Sequence, residues 1–371
     1  MGQYANDQRI VLTLDAGGTN MVFGAMRGEK GIGGSVTLPS NAHDLDRCLQ
    51  TMVDGFTAVR RSLPGEPAAI SFAFPGPADY PNGIIGGYLP NFPSFRDGVA
   101  LGPFLEDRFG VPVFINNDGD LYAYGEALGG ALPEVNARLA AAGSAKRYRN
   151  LIGYTFGTGF GIGCVIDGRL NRGDNSCVET FCLPHSRIPG VIVEDGVAVR
   201  AVRRVYGERS GDLDSCLTPK DIFDIAEGTR PGNPEAARAA FAELGAVAGD
   251  AMAVAAQLID GLIVIGGGIT ASRKYFMPSL LAALRGTVRT LSGDTLSKVQ
   301  MNVYDLDDEA GFAAFARGGA RQLRVYGSDR TVTYDPEKRI GVMISRIGAS
   351  QAIALGACAF ALTELDKHSN H

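Results

Sequence analysis

The chain has 371 residues, 45% of them hydrophobic and 20% charged, with 35 basic and 40 acidic side chains giving a net charge of −5. That length exceeds one ordinary hydrophobic core and predicts two domains, and the balance is that of a globular chain rather than a disordered one. Acids and bases are mixed along the sequence without a basic stripe, which removes the electrostatic basis for a nucleic-acid partner. The first apolar run, 10–14, falls far short of the roughly 20 residues a bilayer requires, and the residues before it carry no leader pattern. Six scattered cysteines, several inside apolar runs, read as free thiols of a reducing compartment, so a cytoplasmic location and no membrane partner are expected.

In chain order, Ile10-Val11-Leu12-Thr13-Leu14 reads as a strand from its β-branching and length. Asp15-Ala16-Gly17-Gly18-Thr19-Asn20 turns the chain, and 21–26 returns as a second strand. Leu45, Leu49, Met52, Val53, Phe56 and Val59 recur at helical spacing and predict a helix over 44–62. A strand over 69–74 stops at Pro75-Gly76-Pro77. A short strand over 111–115 ends on Asn116-Asn117-Asp118-Gly119-Asp120, where a helix through 122–128 begins.

The opening pattern then recurs. A strand over 151–156 leads into Gly157-Thr158-Gly159-Phe160-Gly161, and 162–166 returns to a turn at Asp167-Gly168. Two strand–glycine turn–strand units about 140 residues apart indicate duplication at domain scale, with a ligand expected in the cleft between two similar halves. Asn233 and Pro234, a favoured N-cap and first-turn residue, open a long helix to about residue 257. Leu262-Ile263-Val264-Ile265 has the wholly apolar character of a strand covered on both faces, and Gly266-Gly267-Gly268 follows it. A closing helix is expected over 349–365. Two segments read as insertions: a polar, alanine-rich excursion over 132–150, and 322–343, where two β-rich runs flank a hairpin turn at Asp335-Pro336-Glu337-Lys338. The expected division is a smaller domain over 1–118, completed by the C-terminal helix over 356–371, and a larger one over 119–355 holding both insertions.

Fifty glycines, against an ordinary share of ~7%, direct attention to the turns. Glycine turns expose main-chain N–H groups in concave nests that bind anions, and Asp15 would add a carboxylate for Mg²⁺. The same residues also make a plain hairpin turn. Asn117 and Asp118 sit between a strand and a helix, where a carboxylate can accept a hydroxyl proton as that oxygen attacks phosphorus, or where either residue can cap the helix. Gly266-Gly267-Gly268 suits either a planar base lying against backbone or a strand-to-helix turn. Neither a P-loop nor a Rossmann fingerprint occurs. Cys177, Cys182 and His185 are too loosely spaced for zinc and lack a fourth ligand.

Together these segments resemble the ROK family of sugar kinases and repressors, of the actin-like superfamily. Leu14-Asp15-Ala16-Gly17-Gly18-Thr19-Asn20 and Gly157-Thr158-Gly159-Phe160-Gly161 are similar to its two phosphate motifs. Phe74-Pro75-Gly76-Pro77, Tyr88-Leu89-Pro90-Asn91-Phe92, Asn116-Asn117-Asp118 and Ile265-Gly266-Gly267-Gly268-Ile269 resemble its further segments in order. The resemblance implies an α/β fold of two actin-like (ribonuclease H-like) domains around a central cleft, and ATP-dependent phosphorylation of a hexose or an amino or N-acyl sugar by a homodimer. It implies Asp118 as general base, and Gly76, Asn91, Asn117, Asp118, Glu179 and Glu194 at the sugar. It implies Asp15, Gly17, Gly18, Thr19, Asn20, Gly157, Thr158, Gly159, Gly266, Gly267 and Gly268 around Mg-ATP, with Asp15 toward Mg²⁺. Glu179-Thr180-Phe181-Cys182 stands where the family has Glu-x-Gly-His, and the family's zinc-binding cysteine run is absent, so no structural zinc is expected. No helix-turn-helix pattern precedes residue 10, which argues against a repressor, and the presence of Asp118 favours a kinase over the alternative, a catalytically silent sugar-binding regulator.

Overall fold

A computed structural model describes residues 3–213 and 216–369. The chain begins with β1 (Ile10–Ala16), β2 (Asn20–Arg27), β3 (Lys30–Pro39), α1 (Leu45–Arg61), β4 (Pro67–Ala73), α2 (Leu101–Phe109), β5 (Val113–Asn116) and α3 (Asp118–Leu128). It continues with α4 (Ala131–Ala141), β6 (Leu151–Phe156), β7 (Phe160–Ile166), β8 (Arg169–Asn171), α5 (Val199–Ser210), α6 (Pro219–Glu227) and α7 (Pro234–Ile259). It ends with β9 (Leu262–Gly266), α8 (Arg273–Leu284), β10 (Asn302–Asp305), α9 (Glu309–Arg317), β11 (Arg339–Ile344) and α10 (Ala349–Ser369). Two compact units result: Met1–Pro133 with Gly163–Val178 and Arg346–His371, and Glu134–Ile162 with Glu179–Ser345.

In the first unit the sheet order is β3-β2-β1-β4-β5. β1, β2 and β3 form an antiparallel meander, and β4 and β5 extend it in parallel. Asp15 pairs with Ala73 and Ala73 with Asn116, so the loops after β1, β4 and β5 leave the same edge of the sheet. Loops at the carboxyl ends of parallel strands are where α/β folds hold ligands. β3 was not expected from sequence: Gly31, Gly33 and Gly34 dilute its pattern, and its pairing with β2 supplies what propensity lacks. One face of the sheet is covered by α1, capped by Asp44 and burying Cys48, Met52, Phe56 and Val59. Phe23 meets the Phe56 ring edge-on at 5.1 Å, and a Cβ at Gly55 would collide with the Phe23 ring.

The other face is covered by α10, whose Leu355, Cys358, Ala361 and Leu362 pack on Val11, Met26 and Ala69. α3 crosses α10 at glycines. A Cβ on Gly125 would run into the Ala352 carbonyl, and one on Gly356 into the Leu121 carbonyl. The start of α3 is confined in the same way, since a Cβ on Gly163 of β7 would strike the Gly119 carbonyl. Helix α3, with Asp118 as its first residue, is therefore fixed by backbone contacts too close for any side chain.

The second sheet has the order β8-β7-β6-β9-β11-β10. β7 belongs to both units, the chain passing from the second to the first between Ile162 and Gly163. β9 is buried throughout and runs parallel to β6 and β11. A glycine-turned hairpin followed by parallel strands thus occurs twice, as the repeated sequence pattern indicates. α7 is long and apolar enough to cross a membrane, but 72% of its most apolar stretch is buried inside protein, the setting of a core helix.

Both supposed insertions contribute to this framework. α4 buries Leu132, Val135 and Leu139, and Tyr148 stacks on Phe315 at 5.3 Å. Within 322–343, Arg339–Ile344 is the inner strand β11. The hairpin pairs Arg321–Arg324 with Thr331–Tyr334, so its turn lies before Asp335, at Gly327 with φ +71°. Asp335 instead pairs with the buried Arg339 guanidinium at 2.6 Å.

Candidate active site

In the first unit, Asn116 closes β5 and Asn117 is the N-cap of α3, with φ −69° and ψ 152°. The Asn117 Oδ1 accepts the Gly119 N–H at 2.8 Å, so the capping role falls to Asn117 and not Asp118. Asp118 Oδ1 shares that same N–H at 2.8 Å. Its Oδ2 takes no hydrogen bond among the described residues. The Asp118 side chain reaches solvent, yet the surrounding protein desolvates its carboxyl and raises the pKa. The N–H groups of Gly119 and Asp118 oppose the rise, and the charge of Asp15 adds to it. A carboxylate with one oxygen anchored, the other unengaged and its basicity enhanced is suited to accept a proton.

Asp118 is backed by groups that sequence reasoning left out. Asn116 is fully buried; its Oδ1 accepts from Arg172 Nη1 at 2.8 Å. The Arg172 guanidinium lies 4.9 Å from the centre of the Phe360 ring. Asp120 is only 6% exposed. Desolvation pushes its carboxyl up to about 7, with Arg172 opposing and Asp118 reinforcing the shift. The glycine-bounded segment Gly168-Arg169-Leu170-Asn171-Arg172-Gly173 was the one sequence signal that could have pointed to Arg172.

The first glycine turn lies at the end of β1, next to the loop that carries Asn91. Asp15, Gly18, Thr19 and Asn20 are exposed, and the Gly17 N–H donates to the Asn20 carbonyl at 3.0 Å. Neither Gly17 nor Gly18 has left-handed backbone, so the need for glycine is steric. A Cβ at Gly17 would lie 2.7 Å from the Asn20 carbonyl oxygen, and one at Gly18 would lie 3.1 Å from the Asn91 Cβ. Ser40 pins the turn through its N–H to the Thr19 carbonyl at 3.0 Å. At Gly76 a Cβ would stand 3.0 Å from the Tyr80 hydroxyl, which donates to the Phe74 carbonyl at 2.8 Å and folds that segment on itself.

In the second unit, Gly157, Thr158 and Gly159 join β6 to β7, and Gly157 accepts the Val199 N–H at 2.9 Å. Gly266 pairs with Thr155, so the glycine segment after β9 leaves the sheet beside this turn. Gly267 has φ +96° and abuts the Phe156 carbonyl, which accounts for it as a turn residue; nothing lies within 4 Å of the space beside Gly268. Glu179 is exposed in the irregular segment between β8 and α5. Glu194 bonds to the second glycine turn, its Oε2 accepting the Phe160 N–H at 2.9 Å. His185 Nδ1 accepts the N–H groups of Arg187 and Ile188 at 3.1 and 3.2 Å, a loop-bracing role.

A hairpin closed by a glycine turn, continued by parallel strands and built twice, defines an actin-like α/β fold. The pattern of the ROK family matches residues 11–181. The chain is 60% identical to the crystal structure of glucokinase from Parabacteroides distasonis, covering 97% of this chain and 99% of that one at a TM-score of 0.89. The chain belongs to the ROK family. A ROK family glucokinase from Streptomyces griseus, in complex with glucose and AMPPNP, shares the fold at a TM-score of 0.59 and 18% identity, over 95% of this chain and 98% of that one. The xylose repressor of Bacillus spizizenii is 32% identical over 137 residues, 37% of this chain and 31% of the repressor, so the match spans about a third of that curated relative's length.

Proposed function

We propose that this chain transfers a phosphoryl group from ATP to a hydroxyl of a hexose or an amino or N-acyl hexose, with Asp118 as the general base. The observation that carries the reading is Asp118 itself: one oxygen held by the Gly119 N–H, the other unengaged, and a raised pKa in a site that water still reaches. The unengaged oxygen accepts the hydroxyl proton as the sugar oxygen attacks phosphorus. Likeness to a glucokinase over nearly the whole chain supports the same reading.

In the first unit Asn91 and Asn117 are proposed sugar contacts, with Gly76 shaping their loop, and Gly17, Gly18, Thr19 and Asn20 a proposed phosphate turn. In the second, Gly157, Thr158 and Gly159 are assigned to phosphate, Gly266, Gly267 and Gly268 to adenosine, and Glu179 and Glu194 to sugar by resemblance. The Asp15 carboxylate is exposed and takes no hydrogen bond among the described residues, which fits a Mg²⁺ ligand. When bound, the ion would neutralise charge on the phosphates. Cys48, Cys164 and Cys358 are buried and Cys177, Cys182 and Cys216 exposed, all as free thiols, in keeping with a cytoplasmic enzyme. A homodimer is part of the proposal and is tested by light scattering.

A coupled assay of ADP release over hexoses, amino sugars and N-acyl hexoses tests the reading. The expected result is sustained turnover with one of these classes and ATP. Tight sugar binding with no ADP release would overturn it in favour of a sugar-binding regulator.

A further inference from the structure

Glu194 was expected beside the sugar, yet both of its oxygens are engaged at the second glycine turn. Oε2 accepts the Phe160 N–H at 2.9 Å, and Oε1 accepts from Arg200 Nη2 at 2.8 Å. Arg200 also donates through Nε to Asp195 at 2.5 Å and through Nη1 to the Thr158 carbonyl at 3.5 Å, inside the turn. A Cβ at position 159 would stand 2.9 Å from Glu194 Oε2, so glycine there leaves room for that oxygen. The turn and Arg200 together already grip a carboxylate, one oxygen by a main-chain N–H and the other by a guanidinium, the two donor types that bind phosphate.

We propose that Glu194 is a built-in phosphate mimic, whose carboxylate competes with the nucleotide's phosphate for the Phe160 N–H and for Arg200, so that nucleotide binds by displacing it. This rests on the kinase reading above. A phosphate oxygen approaching Phe160 meets a carboxylate of like charge on the same donor, and both cannot stay. On displacement Arg200 exchanges one anionic partner for another while Asp195 retains its Nε–H. Arg200 is thereby assigned to the nucleotide phosphates, and Glu194 sets how tightly they are held.

The competing view makes Glu194 a simple brace for the turn, and the two views predict opposite signs. If Glu194 competes, Glu194→Gln removes the charge and strengthens nucleotide binding. If Glu194 braces, the same change loosens the turn and weakens binding. The test is calorimetric titration of the full chain with Mg-AMPPNP, without sugar, for wild type, Glu194→Gln, Glu194→Ala, Arg200→Gln and Arg200→Lys, with thermal melts to verify folding. We expect Glu194→Gln to bind about tenfold tighter, the scale of releasing one charge-assisted hydrogen bond, and Arg200→Gln about tenfold weaker. Arg200→Lys should fall between wild type and Arg200→Gln. Glu194→Ala, which removes the acceptor altogether, should also tighten binding and serves if the Gln variant melts early. Nucleotide affinity unchanged within twofold, or weakened, in both Glu194 variants overturns the proposal. If wild type phosphorylates sugar but neither Glu194 variant binds nucleotide tighter, only the mimic falls. If folded wild type binds no nucleotide, the kinase reading falls with it.

Discussion

Asp118 and Asp120, two residues apart on one helix turn, are set apart by their surroundings. Asp118 keeps an oxygen in reserve at the solvent-reached end of α3, whereas Asp120 points into protein. A base must be ionised to act, so kcat/KM should fall as pH drops through the raised Asp118 pKa, with the acid limb above the ordinary carboxylate range. Asp118→Asn should retain nucleotide and sugar binding while kcat drops by roughly 10²–10⁴-fold. Steady-state kinetics paired with calorimetry checks this, and a near-native kcat would move the role elsewhere. Asp120 has the opposite meaning for stability. Its pKa is raised from 3.8 to about 7, so the folded protein holds a proton that the unfolded chain gives up, and stability is lost as pH rises through that window. Asp120→Asn should therefore stabilise the protein by about 1–3 kcal/mol at pH 8 and have little effect near pH 4. Urea unfolding at the two pH values measures it; equal effects at both would deny that Asp120 titrates on folding.

At the scale of elements, α3 depends on α10, which lies more than two hundred residues further along the chain. The crossing has no room for a methyl group at Gly125 or Gly356, where each glycine faces a backbone carbonyl that cannot rotate away. Gly125→Ala and Gly356→Ala should each cost about 1–3 kcal/mol, the usual penalty of overpacking, despite the better helix propensity of alanine. Because α3 begins at Asp118, both should also lower kcat more than an equally destabilising change on α7. Chemical denaturation together with kinetics decides the point: unchanged stability would show that the helices can separate without loss. Much at this scale was legible in the sequence. The helix behind Asp44, the long helix behind Asn233-Pro234 and the apolar strand before Gly266 all carry local signatures of capping, periodicity or burial. The β3 strand and the true turn at Gly327 were not legible. The first depends on pairing with β2. At the second, Asp335-Pro336 offered a stronger-looking turn signal, but that segment is held by the buried Arg339.

For the molecule as a whole, the hairpin of Arg321–Arg324 and Thr331–Tyr334 stands outside both sheets, with all eight strand residues exposed. Arg321 pairs directly with Tyr334, so its base can be closed by a short link. A lone two-stranded ribbon adds little to global stability. Replacing 322–333 with two glycines should leave the melting temperature within about 1 °C, less than ~1 kcal/mol at this size, and kcat near that of the intact chain. A loss of cooperative melting would show that the hairpin is tied into the second unit. The sequence by itself determined the duplicated hairpin plan, the glycine turns, and the Asn116-Asn117-Asp118 strand end, because turn chemistry, capping and periodicity act over a few neighbouring residues. Only the tertiary structure decided that Asn117 caps while Asp118 keeps an oxygen free, that Arg172 reaches Asn116, that Gly18 lies against Asn91, and that Glu194 is bound to the turn at Phe160. Those pairings join residues tens of positions apart, or decide between adjacent polar groups, and their energies depend on distance, burial and the partner's remaining bonds, none of which a linear spacing encodes.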